Sequence, residues 1–146
     1  MTRKFTIAVG SDHAGPLLKA ELMVFLESEG HAVLDLGCPV GTERVDYPLI
    51  AKAAVEKVAS GEASFGILVC GTGIGMAMVA NKTPGIRAAN CHTEFSARMA
   101  RAHNDCNVLA LGARVLGPSL ALAIAKAFLE TGFEGGRHAE RLALFS

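Results

Sequence analysis

The segment of this chain best equipped for chemistry is Cys70-Gly71-Thr72-Gly73-Ile74-Gly75. Three alternate glycines let the backbone approach a ligand closely and turn several N–H groups inward, so the segment reads as an anion cradle. A cysteine beside such a cradle is favoured as thiolate, either a nucleophile or a base. Related loop chemistries fail on single residues. A dinucleotide fingerprint needs glycine, and a C-x5-R phosphatase loop needs arginine, where Met76 stands; the Gly-Lys-Ser/Thr ending of a Walker loop is absent. The plainer alternative is that Cys70 is a small apolar residue closing a buried strand.

Further candidates lie outside the loop. Ser11-Asp12-His13 brings together a carboxylate and an imidazole, with helix capping by Ser11 or Asp12 as the plainer reading. His103 and Asn104 close a helical pattern, where a histidine can simply meet the helix dipole. Arg137 and Arg141, four apart, share one face of a helix and with His138 could form a fork for a phosphate, although Glu134 and Glu140 nearby also suit a self-paired, solvated surface. Arg87, Arg98 and Arg114 carry no signal by spacing, and His31 reads as structural. No close histidine–carboxylate cluster is visible, so no metal is expected.

These residues need elements to hold them. Short apolar runs at Phe5–Val9, Ala32–Leu36, Gly66–Val69, Ile86–Ala89 and Val108–Leu111 predict buried strands. Amphipathic runs at Pro16–Glu29, Pro48–Ser60, Gly75–Asn81, Glu94–His103 and Pro118–Glu130 predict the helices between and after them. Continuously apolar strands alternating with helices predict an α/β fold: one doubly wound, Rossmann-like domain over residues 1–146 with a five-stranded parallel sheet. Ligands of such sheets bind at the carboxyl ends of the strands. The residues after the first, third, fourth and fifth strands are Ser11-Asp12-His13, the Cys70 loop, Asn90-Cys91-His92 and Gly112-Ala113-Arg114.

Composition narrows the classes. The chain has 146 residues, 51% hydrophobic and 19% charged, enough to build a core. Fourteen basic residues balance fourteen acidic ones, so no global field draws the chain to nucleic acid or to an anionic membrane. The apolar run of the opening stretch, Met1 to Val9, gives way to Gly10-Ser11-Asp12 and suits a strand better than a signal peptide. The uncharged stretch Ala63 to Asn81 is broken by glycines and does not read as a membrane span. Cys38, Cys70, Cys91 and Cys106 form no C-x-x-C pair, which favours a reducing cytoplasm.

Seven segments, in order and spanning nearly the whole chain, resemble the family of type B ribose-5-phosphate isomerases and galactose-6-phosphate isomerase subunits. They are Gly10 to Gly15, Asp46-Tyr47-Pro48, Cys70 to Gly75, Asn81 to Ala88, Ala100 to Asp105, Asn107 to Val115, and Phe133 to His138 with Arg141. The resemblance implies a metal-free, cofactor-free aldose–ketose isomerase acting on an open-chain sugar phosphate, most readily ribose 5-phosphate. By it, Cys70 is the base that moves a proton between C2 and C1, and the N–H groups of Gly71, Gly73, Ile74 and Gly75, with Thr72, meet the charge of the enediolate. His103 opens the furanose ring; Asp12, His13, Tyr47 and Asn104 contact substrate; Arg114, Arg137 and Arg141 hold the phosphate. A branch of the family uses a glutamate at the place of Met76 as its base, an option closed to this chain. The resemblance also implies a homodimer with active sites shared between chains, or a dimer of such dimers. Cys38 to Val45 and Asn90 to Thr93 are the stretches expected to set the length of sugar accepted, among four, five and six carbons. A non-catalytic nucleotide-binding module and a cysteine-nucleophile hydrolase or transferase are the competing classes, and neither accounts for Arg137 and Arg141.

Overall fold

The computed structural model describes residues 3–146; Met1 and Thr2 of the opening stretch lie outside it. Five strands alternate with helices: β1 (Thr6–Ser11), α1 (Pro16–Ser28), β2 (Ala32–Asp35), α2 (Tyr47–Ala59), β3 (Phe65–Cys70), α3 (Ile74–Ala80), β4 (Ala88–Asn90), α4 (Glu94–Ala102), β5 (Val108–Gly112), α5 (Pro118–Glu130) and α6 (Arg137–Ala143). All the pairings are parallel, in the order β2-β1-β3-β5-β4, so the expected five-stranded parallel α/β sheet is present. No helix among the described residues is long and apolar enough to cross a membrane.

The pleat sorts side chains into two cores. Ile7, Val9, Ile67, Val69, Leu109 and Leu111 face one side, packed with Leu22 of α1, Ala97 of α4 and Ile124 of α5. Ala8, Leu68, Cys70, Val108 and Ala110 face the other, packed with Val55 of α2 and Met76 of α3. Helices α1, α4 and α5 therefore cover one face, and α2 and α3 the other. This division decides where a crevice opens. The chain leaves β1 and β5 toward one face and leaves β3 between them toward the opposite face, so the carboxyl end of β3 lies between backbones that part on both sides.

Two local readings shift. The fourth strand spans Ala88–Asn90 rather than Ile86–Ala89 because Ile86 N–H closes a turn onto the Thr83 carbonyl and Arg87 N–H is held by Asn107 Oδ1 at 2.9 Å. The last helix, α6, follows Gly135 and Gly136, both at positive φ; its seven residues carry too little apolar periodicity to stand out in sequence. His31 is structural, as expected: its Nδ1 accepts the Phe5 N–H at 3.1 Å and its ring stacks on Phe5.

Candidate active site

Cys70 ends β3 with its side chain on the α2/α3 side, and is buried. Its apolar setting fits the plain reading of a core residue, but the thiol has a polar contact: the Gly73 N–H donates to Cys70 Sγ at 3.1 Å. Negative charge on this sulfur would be met by an N–H dipole. Gly73 has φ +85°, a backbone that favours glycine, and a Cβ there would lie 2.5 Å from Asn90 Oδ1. Ile74 N–H donates to Thr72 Oγ1 at 3.2 Å, which fixes the hydroxyl at the helix start.

Neighbouring strand ends close around this loop. Arg114 N–H donates to the Gly71 carbonyl at 3.0 Å, and a Cβ on Gly71 would lie 3.4 Å from Arg114 Nη1, so the guanidinium covers that glycine. Tyr47 packs on Gly75 closely enough that a Cβ there would stand 2.7 Å from its ring. Asp12 N–H donates to the Val69 carbonyl at 3.1 Å. The Asp12 carboxylate accepts the Ala14 N–H at 2.9 Å, so it fastens the turn before α1 and does not cap the helix, whose N-cap is Gly15. Ser11 belongs to β1 and is fully buried. His13 Nδ1 lies 3.2 Å from the backbone of Val45. With Arg44, Val45 and Tyr47, residues Asp12 and His13 line a cavity of about 450 Å³.

Arg44 is a cation of this cavity that spacing did not reveal, because the loop bearing it has no periodicity and only folding carries it to Asp12. Asn90 is a second addition in detail: its Oδ1 is buried without a hydrogen-bond partner and lies against Gly73.

The remaining predicted residues stand elsewhere. Helix α4 runs antiparallel to the strands, so His103 and Asn104 at its end lie beside the amino-terminal edge of the sheet. Arg87, just before β4, pins this turn by donating from Nε to the carbonyls of Asn104 (3.2 Å) and Asp105 (3.0 Å). Asn104 opens there on a cavity of about 770 Å³ that Asn81 to Ala89 and Phe145 help to line. Glu134 N–H donates to the Ala102 carbonyl at 3.0 Å, which brings the start of α6, with Arg137 and Arg141, to the same edge. Strands of five or six residues at about 3.3 Å each hold the two groups roughly 15–20 Å apart along the sheet. No hydrogen bond or ion pair joins them among the described residues.

At this second edge the structure holds a group that residue spacing does not reveal. A histidine–carboxylate cluster does exist: ligand atoms of His103, Glu134 and His138 lie within 4.8 Å of one another. It was hidden because a tertiary contact brings His103 to the other two. The cluster is poorly shaped for a metal. The rings of His103 and His138 stack with centroids 4.1 Å apart and planes within 11°, and an ion ligated in the plane of one imidazole cannot also lie in the plane of the other. Glu134 faces these histidines and not the arginines: Arg137 and Arg141 make no ion pair among the described residues. Burial, together with the neighbouring His103 ring and the Arg137 cation, holds His138 below the usual histidine range.

Comparison with known proteins accords with this architecture. The family model described as Ribose/Galactose Isomerase matches residues 7–145. The chain is 48% identical over 136 residues to ribose-5-phosphate isomerase B of Escherichia coli, covering 93% of this chain and 91% of that one. It is 44% identical over 137 residues to D-erythrulose-4-phosphate isomerase of Pectobacterium atrosepticum, covering 94% and 90%. Among solved structures, ribose-5-phosphate isomerase B of Clostridium thermocellum superposes with a TM-score of 0.93 at 50% identity, covering 95% of this chain and 93% of that one.

Proposed function

The chain belongs to the ribose/galactose isomerase family, and from that premise we propose that it interconverts ribose 5-phosphate and ribulose 5-phosphate, with Cys70 as the base. It is a sugar-phosphate isomerase of the aldose–ketose type. The observation that carries the mechanism is the Gly73 N–H on Cys70 Sγ at the head of an inward-turned glycine loop.

The steps follow from the residues. His103 delivers a proton to the furanose ring oxygen as the C1–O bond breaks, and the anomeric hydroxyl proton leaves to water. The Cys70 thiolate then removes the proton on C2. Charge moves onto oxygen, where the N–H groups of Gly71 and Gly75 and the Thr72 hydroxyl are the available donors, while the Gly73 N–H serves Cys70 Sγ and the Ile74 N–H holds Thr72 Oγ1. Transfer of the O2 proton to O1 and return of the first proton to C1 give the ketose. Asp12, His13, Tyr47 and Asn104 hold the sugar, and Arg114, Arg137 and Arg141 its phosphate. No step requires a metal or an organic cofactor.

A single chain holds these groups at opposite edges of its sheet, which supports a homodimer in which the amino-terminal edge of one protomer meets the carboxyl edge of its partner. Each site then takes Cys70, Asp12 and Arg114 from one chain and His103, Asn104, Arg137 and Arg141 from the other. All four cysteines are free and buried, which supports a reducing compartment such as the cytoplasm.

The relative acting on a four-carbon ketose phosphate favours a second reading on that substrate. Phosphorylated aldoses of four to six carbons, assayed for ketose formation with chelator present, test both. Ribose 5-phosphate is expected to give the highest kcat/KM. A higher value on a four- or six-carbon sugar overturns the assignment, and loss of activity with chelator overturns the metal-independent mechanism.

A further inference from the structure

We propose that Glu134 and His138 are positioning residues for His103, Glu134 setting its carboxylate beside the His103 Nε2 and His138 fixing the plane of the His103 ring. The inference rests on His103 being the acid that opens the sugar ring, and names what prepares it. One carboxylate oxygen, Glu134 Oε1, faces both imidazoles, 3.8 Å from His103 Nε2 and 3.5 Å from His138 Nε2. These separations are too long for hydrogen bonds and short enough for charge to be felt. The rings lie face to face, so two positive charges there would repel at the distance of the stack.

The two histidines are not equivalent. His138 is buried and its Nε2 has neither solvent nor a hydrogen-bond partner, whereas the His103 side chain is 38% exposed. Burial and the cations of Arg137 and Arg141 beside it on α6 disfavour charge on His138. Asp105, the acid two residues from His103, is committed to Arg87 and Arg101. The buried inner ring is therefore a fixed plate against which the outer one lies, with the Glu134 carboxylate at the edge the two rings share. All three side chains stand on one chain, and the Glu134 N–H bond to Ala102 ties them together, so the acid reaches a partner's site already assembled.

Glu134→Gln keeps the shape and removes the charge at an exposed position, so folding is not at stake. His138→Asn removes the plate, and Glu134→Asp is the conservative control. The probes are ribose 5-phosphate, which cyclises, and a four-carbon aldose 4-phosphate, which has no free hydroxyl to close a furanose. For Glu134→Gln the alkaline limb of kcat/KM on ribose 5-phosphate moves to lower pH. The loss there at pH 8 exceeds the loss on the four-carbon sugar by about tenfold, a fraction of what a general acid contributes. His138→Asn shows the same preferential loss, and Glu134→Asp restores part of the profile. An unmoved alkaline limb, or equal losses on the two sugars, overturns the proposal. His103→Asn is run alongside. If it too loses equally on both, the ring-opening role itself has failed; if it discriminates while Glu134→Gln does not, only the positioning role has.

Discussion

The Gly73 N–H points at Cys70 Sγ from 3.1 Å while Asn90 Oδ1 crowds the other side of Gly73, so the thiol and the glycine turn that serves it are fixed as one unit. A glycine with φ +85° is needed there: a side chain would strain the backbone and meet the Asn90 amide.

Cys70→Ala removes only the sulfur from a buried position and leaves the glycine loop in place. Turnover of ribose 5-phosphate is expected to fall at least about a hundredfold, the low end for general acid–base catalysis, with the far-ultraviolet circular dichroism unchanged. Activity within a few-fold of the parent would remove Cys70 as base.

His103→Asn should separate ring opening from isomerisation. Loss on cyclising ribose 5-phosphate is expected at about a hundredfold, and far less on an aldose phosphate held open. Equal losses would contradict the assignment.

Arg137→Ala and Arg141→Ala each remove a guanidinium without an ion-pair partner among the described residues. Each should raise KM for the sugar phosphate about tenfold or more, the scale of one charge-assisted hydrogen bond, with little effect on the unphosphorylated sugar. Parallel losses on both substrates would make the arginines structural.

Sharing of sites between protomers has a quantitative signature. When Cys70→Ala and His103→Asn chains are unfolded together and refolded at random, about half of the dimers are mixed, and each mixed dimer has one site with both native residues. About a quarter of native activity should return. A mixture no more active than its parents would rule out the shared site.

Away from the site, Lys19 is buried on α1 and pairs with Asp35 of β2 at 2.6 Å. Burial pushes the Asp35 carboxyl up, but the Lys19 ammonium and the Gly37 N–H outweigh it and hold it below the usual carboxylate range. A lowered value means stability present above the unfolded pKa, about 3.9, and lost as pH falls through the folded one. Asp35→Asn should cost about 1–3 kcal/mol at pH 7, kept modest by the half-exposed carboxylate. The difference in urea midpoint should shrink below about pH 4, and a difference independent of pH would refute the ion-pair origin.

The fold class was written in local signals. Five apolar runs short enough for strands and continuous enough for burial on both faces, each followed by a helical pattern, admit little besides a parallel sheet with crossover helices. The Cys70 loop was legible for the same reason: its glycines are consecutive in sequence, and their chemistry is that of one turn. Strand order was not, since nothing in β4 or β5 says that β5 inserts beside β3; that depends on which helices pack together across each face. Nor could spacing show that Arg44 joins Asp12, which needs the loop between β2 and α2 to fold over the end of β1, or that His103 stacks on a histidine 35 residues later, which needs α4 and α6 to meet at one edge. The types of residue came from the sequence. Their division between opposite edges of the sheet came from the tertiary structure, through the fact that a helix following a parallel strand must run back toward the strand's beginning.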